Sequence, residues 1–353
     1  MIKINGKDIS RQQFPEYTWN ADLVYIDGPL ISLYKRNDGP EALFFWVDSN
    51  KTHNRWAVAE INRPDLREYL KGKKSLLEII KKNNKIYFFN TSATGRRTKY
   101  YTVNLVDFPP EYLPDPDSFL FEELCTNEAK ELLSEEIITY NLLLDGDDIY
   151  MDDLAIIPKT FQQLYSFHYG LSHLDREAIR NKLTRSLCKW TGGFSAVHLF
   201  NGLKNLIPSI HKARVKELKY ASPGFIKMNL IKNISNEISN VFDNYLKNRD
   251  KAENLYKEIY KYFKAQGISG FDNDTQDQEV KITHLQEVTL NNFLAQYLEL
   301  LGISNYNLSF NSLEIDSLGQ IRSILAYYRR LRILGKYVEA GTLKLPSPES
   351  PLI

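Results

Sequence analysis

Acidic residues crowd one short stretch of the chain, Asp145-Gly-Asp147-Asp148 followed by Asp152 and Asp153. Carboxylates converging on one point are what a hard divalent cation needs, and a divergent metal-dependent nuclease or hydrolase would be built on such a cluster. The order departs from a calcium-binding EF-hand loop, because the alternating acids are not followed by a glutamate at the fixed distance. A solvated turn satisfies the same residues. The nearest fragment of a PD-then-ExK nuclease pattern, Pro64-Asp65 with Glu68 and Lys71, falls on a helix start rather than on paired strands.

Other chemistry-bearing residues are equally dispersed. The histidines are His53, His168, His173, His198, His211 and His284. His168 and His173 are five apart, so they diverge around a helix where i, i+4 metal ligands would stack. Each reads as a group that packs or hydrogen-bonds locally. Ser195, in Gly192-Gly-Phe-Ser195-Ala196, lacks the following glycine of a nucleophile elbow and fits a helix N-cap. No GxxxxGK[ST] and no GxGxxG cradle for phosphates occurs. The expectation is therefore a chain with no catalytic residue, no metal site and no cofactor.

Basic residues interleaved with aromatics form the remaining candidates, because lysine and arginine neutralise phosphates while tyrosine stacks on bases. Lys71, Lys73, Lys74, Lys81, Lys82, Arg96, Arg97 and Lys99 precede Tyr100 and Tyr101. A second group, Arg322, Arg329, Arg330, Arg332 and Lys336, surrounds Tyr327 and Tyr328. From these, Lys73, Lys74, Arg96, Arg97, Lys99, Arg329, Arg330 and Arg332 are the expected contacts if the chain binds DNA or RNA. The net charge of +1 hides a segregation: +8 over 71–100, −13 over 111–153 and +10 over 176–232. Such blocks either dock on one another or leave a basic surface free, and the sequence does not separate the two.

The elements that must position these residues fit an α+β chain: a β-rich N-terminal module followed by a mostly α-helical C-terminal part containing a β-hairpin. Its 353 residues exceed a usual single core, and four segments are expected. Residues 1–110 form a β-rich module with short helices. Leu23–Tyr34 reads as one strand, Ala42–Val47 as its hairpin partner across Asn37–Pro40, and Arg55–Ile61 as a third strand. Helices follow at Arg63-Pro64, where a missing N–H costs nothing, and after the N-cap Ser75. Lys85–Asn90 and Lys99–Val106 pair around Thr94-Gly95-Arg96. Prolines 109, 110, 114 and 116 then end the module.

Residues 111–157 form an acidic connector, with a helix near Asn127–Glu136 and a hairpin over Ile137–Tyr150 turning at Asp145–Asp147. Residues 158–232 hold helices at Lys159–Phe167, Arg176–Leu187 and Ala196–Leu206, then a strand pair turning at Ser222-Pro223-Gly224. Residues 233–353 are helical with an extended tail. Ile234, Ile238, Val241, Tyr245, Leu255, Ile259 and Phe263 recur at helical spacing over a long amphipathic helix or helical hairpin. Cys125 and Cys188 stand far apart, giving neither a disulfide framework nor a CxxC pair. No membrane span is expected, since no run approaches the roughly 18 apolar residues required. The N-terminus lacks a secretory signal, so a cytoplasmic location is expected.

The stretches Tyr25-Ile-Asp-Gly-Pro-Leu-Ile-Ser-Leu, Leu43-Phe-Phe-Trp-Val-Asp, Arg55-Trp-Ala-Val and Leu70-Lys-Gly-Lys-Lys-Ser-Leu-Leu-Glu-Ile-Ile are similar to an uncharacterised bacterial β-rich domain of unknown function. The resemblance covers the first third of the chain. It implies strands, a helix and further strands in that order, carries no catalytic residue across, and associates the chain by analogy with bacterial anti-phage defence. Charge segregation, amphipathic helices and missing catalytic constellations lead to one expectation: a non-catalytic adaptor or regulatory subunit of a bacterial multiprotein complex, with a protein partner or homo-oligomer. Nucleic-acid binding is the alternative.

Overall fold

Alternation of side chains across strands builds the first unit. The computed structural model describes residues 1–36, 39–92, 98–145, 149–188, 193–220, 224–268, 282–313 and 315–346. In it, β1 (Lys7–Ile9), β2 (Tyr17–Tyr25), β3 (Pro29–Arg36), β4 (Glu41–Ser49), β5 (His53–Ile61), β6 (Lys85–Ser92) and β7 (Lys99–Asn104) pair antiparallel in the order β1-β7-β6-β5-β4-β3-β2. Leu33, Leu43, Phe45, Ala57, Ala59, Ile86 and Phe88 point to one face. There they pack against α1 (Arg63–Leu70), α2 (Leu76–Lys81) and α3 (Asn127–Ser134), which supply Leu66, Tyr69, Ile79, Ile80 and Leu132 to the same core.

Each of these helices starts where a side chain satisfies an orphan backbone N–H. Asn62 accepts from Asp65 N, Ser75 forms a reciprocal capping box with Glu78, and Thr126 accepts from Ala129 N. One expectation is corrected here. Leu23–Tyr34 is not one strand, because Asp27 adopts φ 49° and Gly28 φ 143° and the chain reverses between β2 and β3. Aspartate tolerates the left-handed region and glycine has no Cβ to oppose it, so Asp-Gly is a hairpin turn inside an apolar run.

The contact pattern divides the chain in two. Residues 1–135 form the first unit, together with Pro208–His211, and the rest forms the second. Four residues thus return to the first unit from far along the chain. Glu41 accepts from Ser209 N at 2.8 Å, Arg63 Nη2 donates to Ile210 O at 2.8 Å, and His211 Nε2 donates to Leu132 O at 3.0 Å. The acidic connector is shared, its 111–135 part lying in the first unit and 136–157 in the second.

In the second unit, β8 (Ile137–Leu144), β9 (Arg214–Lys219), β10 (Gly224–Ile231) and β11 (Leu343–Lys344) form an antiparallel sheet in the order β11-β8-β10-β9. Among the described residues β8 does not form the hairpin expected within 137–150: it pairs along its length with β10, and its end pairs with β11. The unit's helices are α4 (Met151–Ser172), α5 (Glu177–Cys188), α6 (Gly193–Leu206), α7 (Lys232–Lys247), α8 (Arg249–Ala265), α9 (His284–Leu300), α10 (Tyr306–Asn311) and α11 (Ser317–Glu339). α4 runs through Pro158, which removes only the one N–H that would bond the preceding turn. The architecture is α+β, a seven-stranded sheet followed by a mostly helical part whose small sheet includes the β9–β10 hairpin. No helix of the described residues is long and apolar enough to cross a membrane.

A buried polar chain pins this helical core. His168 on α4 is fully buried; its Nε2 lies 2.6 Å from Tyr327 Oη on α11, and its Nδ1 lies 2.6 Å from Tyr306 Oη on α10 and 3.1 Å from Glu237 Oε2 on α7. Every donor then has an acceptor: Tyr327 O–H gives to Nε2, Nδ1–H gives toward Tyr306 and Glu237, and Tyr306 O–H gives to Glu237. Burial pushes the Glu237 carboxyl up, but the bonds from His168 and Tyr306 outweigh it and hold it below its ordinary value. Burial also drives both tyrosine hydroxyls well above theirs. Further along α11, Gly335 lets the helix approach α7, since a Cβ there would lie 2.6 Å from Tyr245 Cε1.

Tyr327→Phe removes the donor to Nε2 and leaves a buried acceptor unpaired. The expected cost is about 1–3 kcal/mol, read as a lower midpoint in urea unfolding.

Candidate binding groove

The second face of the seven-stranded sheet is unlike the first. Phe14, Ala42, Phe44 and Val58 are buried on it, with Tyr17, Tyr34, Trp56, Tyr87, Phe89 and Tyr100 packed around them, and among the described residues no helix contributes to this cluster. Phe14 covers one end, its ring 5.7 Å from Phe89 and 4.8 Å from Tyr100. The rest is a field of cross-strand aromatic pairs. Tyr34 stacks on Phe44 at 3.9 Å and 27°, Trp56 lies parallel to Phe89 at 6.5 Å and 11°, and Trp46 beside it is 41% exposed. Pairs of this kind hold one another upright on a sheet surface.

A groove of about 270 Å³ opens among these rings. Trp19, Tyr34, Phe44, Trp56 and Phe89 give its apolar walls, and Asp22, Ser32 and Pro29 close one end. The position of Asp22 depends on irregular pairing in β2. Trp19 pairs with Tyr34 and Asp22 with Ser32, with register shifts between Trp19 and Ala21 and between Asp22 and Val24. In a regular strand residues three apart point to opposite faces. The bulge at Asn20 brings Trp19 and Asp22 to the same face, a known use of bulges near functional surfaces.

The carboxylate is then held by its neighbours. Trp19 Nε1 donates to Asp22 Oδ1 at 3.0 Å and Ser32 Oγ donates to the same oxygen at 2.6 Å. From the other side of the sheet, the α3 cap residue Thr126 donates its hydroxyl to Asp22 O and its N–H to Leu23 O at 3.1 Å. Among the described residues, no hydrogen bond reaches Oδ2. Burial and then the nearby Asp22 charge raise the Tyr34 hydroxyl. Among the described residues Asp22 is the one charged residue lining the groove. The arrangement can stack an apolar or π surface and accept a hydrogen bond at Asp22.

The residues singled out from the sequence fall elsewhere. Lys74 pairs with the buried Asp65, which Lys82 also contacts at 2.8 Å. Lys73 and Lys99 are exposed on the first unit, and Arg96 and Arg97 lie outside the described residues. In the second unit, Arg330 donates to Gln163 at 3.1 Å and lies 4.0 Å over the Phe200 ring, and burial holds its guanidinium down to about 10. Arg329 donates to Tyr260 Oη at 3.1 Å and Arg332 pairs with Glu253 at 3.3 Å. These three engage different neighbours around α11. Of the acidic stretch, Asp145 pairs with Lys344 at 2.6 Å and Asp153 accepts from Tyr337 at 2.7 Å, while 146–148 lie outside the described residues. Among the described residues no group of three or more His, Cys, Asp or Glu could hold a metal ion.

Sequence reasoning missed the groove although its residues were in plain view. Trp19 and Asp22 lie at a spacing that regular alternation assigns to opposite faces. The Asp27-Gly28 turn was the available signal, since it makes β2 and β3 a hairpin and places Trp19 opposite Tyr34.

For Asp65, burial raises the carboxyl, but hydrogen bonds from Lys74 and Lys82 outweigh it and the net shift is downward. A lowered carboxyl stabilises the fold above its unfolded value, about 3.9, and that contribution fades as pH falls through the folded value. Asp65→Asn is expected to cost about 1 kcal/mol at neutral pH, with the gap from wild type closing on acidification below about pH 4, as read by unfolding at a series of pH values. Compared with known proteins, the chain matches no family model, no curated protein and no solved structure.

Proposed function

We propose that this chain is a non-catalytic adaptor subunit of a cytoplasmic bacterial multiprotein system, of the kind used in anti-phage defence, and that the aromatic groove of the first unit is where it recognises a protein partner. The observation that carries this reading is the helix-free sheet face, where Trp19, Tyr34, Trp56 and Phe89 line a cavity at the surface. Aromatic side chains gathered at the surface of a folded unit are the commonest anchors of protein interfaces. The groove's lining supports binding, since aromatic rings make up most of it and Asp22 and Ser32, hydrogen-bonded to each other at 2.6 Å, supply its polar groups with the Tyr34 hydroxyl.

A second reading, nucleic-acid binding, is favoured by Lys71, Lys73 and Lys81, which are exposed around α1 and α2. Its signature is affinity that falls steeply with salt.

One purification separates the two. Tagged full-length protein is isolated from its host, and bound protein and nucleic acid are both measured, for wild type and for Trp56→Ala. The adaptor reading expects a stoichiometric protein partner whose affinity drops at least about 30-fold in Trp56→Ala, equivalent to losing an interface anchor worth about 2 kcal/mol, while the thermal unfolding midpoint shows the fold retained. A partner held equally by the variant removes the groove from the interface, and a chain that stays alone removes the adaptor reading. Nucleic acid that releases with salt supports the second reading instead.

A further inference from the structure

We propose that the groove's ligand is a basic side chain of the partner protein, with arginine as the best fit, held between the aromatic walls and Asp22. This deepens the adaptor reading and rests on it. The argument is one of charge and shape together. Among the described residues Asp22 is the single charged residue in the lining, which includes no lysine or arginine. Among these residues a cation meets a carboxylate and no like charge, whereas a phosphate-bearing ligand such as a nucleotide is repelled by that carboxylate. The neutral side chains around it are aromatic, and the faces of tryptophan, tyrosine and phenylalanine attract a cation placed within about 6 Å of the ring centre.

The carboxylate is set to receive such a group. Its Oδ1 accepts from Trp19 Nε1 and Ser32 Oγ, which fix the side chain, and Oδ2 has no hydrogen-bond partner among the described residues. The backbone at Asp22 is fixed as well, by the Thr126 hydroxyl on its carbonyl. A site held in this way loses little ordering entropy when it binds. The cavity, about 270 Å³, lies just below the usual range of about 300–1,000 Å³ for sites that enclose a whole small ligand. It suits one long side chain, with the rest of the partner lying on the surrounding sheet face. Arginine is preferred over lysine because a planar guanidinium can stack on a ring and still donate to a carboxylate through its edge.

The Trp19 indole N–H reports on the site directly, since it donates to Asp22. The probe is N-acetyl-arginine amide, added to full-length protein while the tryptophan indole signals are followed by nuclear magnetic resonance. N-acetyl-citrulline amide, which has the same shape without the charge, and adenosine monophosphate serve as comparisons. The expected result is a saturable shift of the Trp19 signal with the arginine probe, at least tenfold weaker binding of the citrulline probe, and no shift with the nucleotide.

Asp22→Asn should weaken the arginine probe at least tenfold, and its own Trp19 signal shows whether the local geometry is kept. Should that variant fail to fold, Trp56→Leu removes a ring while leaving the carboxylate's bonds intact, and must also weaken the probe. Equal binding of arginine and citrulline probes, arginine binding unchanged in the variants, a silent Trp19 signal, or preference for the nucleotide would each overturn the proposal. A partner that is lost in Trp56→Ala while the arginine probe has no effect would leave the adaptor reading standing and remove the cation alone.

Discussion

An antiparallel strand presents two faces, and the three helices of the first unit cover only one of them. That single constraint organises the unit. The face under α1, α2 and α3 is built mostly from aliphatic residues, with Phe45 and Phe88, at close-packed positions such as Leu43, Ala57, Ala59 and Ile86. Among the described residues no helix covers the opposite face, which is built from large rings that cover one another and the sheet beneath. Rings do this better than aliphatic chains because each buries much area with few rotatable bonds and finds a favourable offset or edge-on contact with its neighbour. The groove is the part of that face where the rings stop short of closure.

In the second unit the corresponding constraint is a polar group in an apolar core. His168 is fully buried among helices and would be costly without partners. Two tyrosines and a glutamate from three other helices supply them, so the network is satisfied only when α4, α7, α10 and α11 are all in place. A fully satisfied buried network specifies an arrangement as well as stabilising it. Apolar packing alone would tolerate a slip of one helix against another; the His168 bonds do not.

Charge follows a similar logic of local pairing. The basic residues of α11 engage a glutamine, a tyrosine, a glutamate and aromatic rings within the second unit. Lys74 and Lys82 gather on Asp65 in the first. The sheet edge at β9 carries lysines as well, and its pairing with β10 shifts register between Lys227 and Met228, both devices that discourage an exposed edge from adding further strands.

The sequence by itself determined the α+β class, the positions of most strands and helices, and caps such as Ser75, because these rest on local rules: period two for strands, period 3.6 for helices, and a side-chain oxygen for the first free N–H. It also made the apolar run through Asp27-Gly28 visible without showing that the chain reverses there, since a turn and a continuous strand differ by only two backbone angles. Tertiary structure alone decided the rest. Nothing local says that β8 pairs with β10 and β11, that Pro208–His211 returns to the first unit, or that His168 meets Tyr306 and Tyr327, each more than 130 residues away. Nor does it say that a bulge at Asn20 turns Asp22 onto the aromatic face. Those outcomes depend on which distant surfaces come to face each other, and that is settled by packing the whole unit, where one residue of register changes the face on which every following side chain lies.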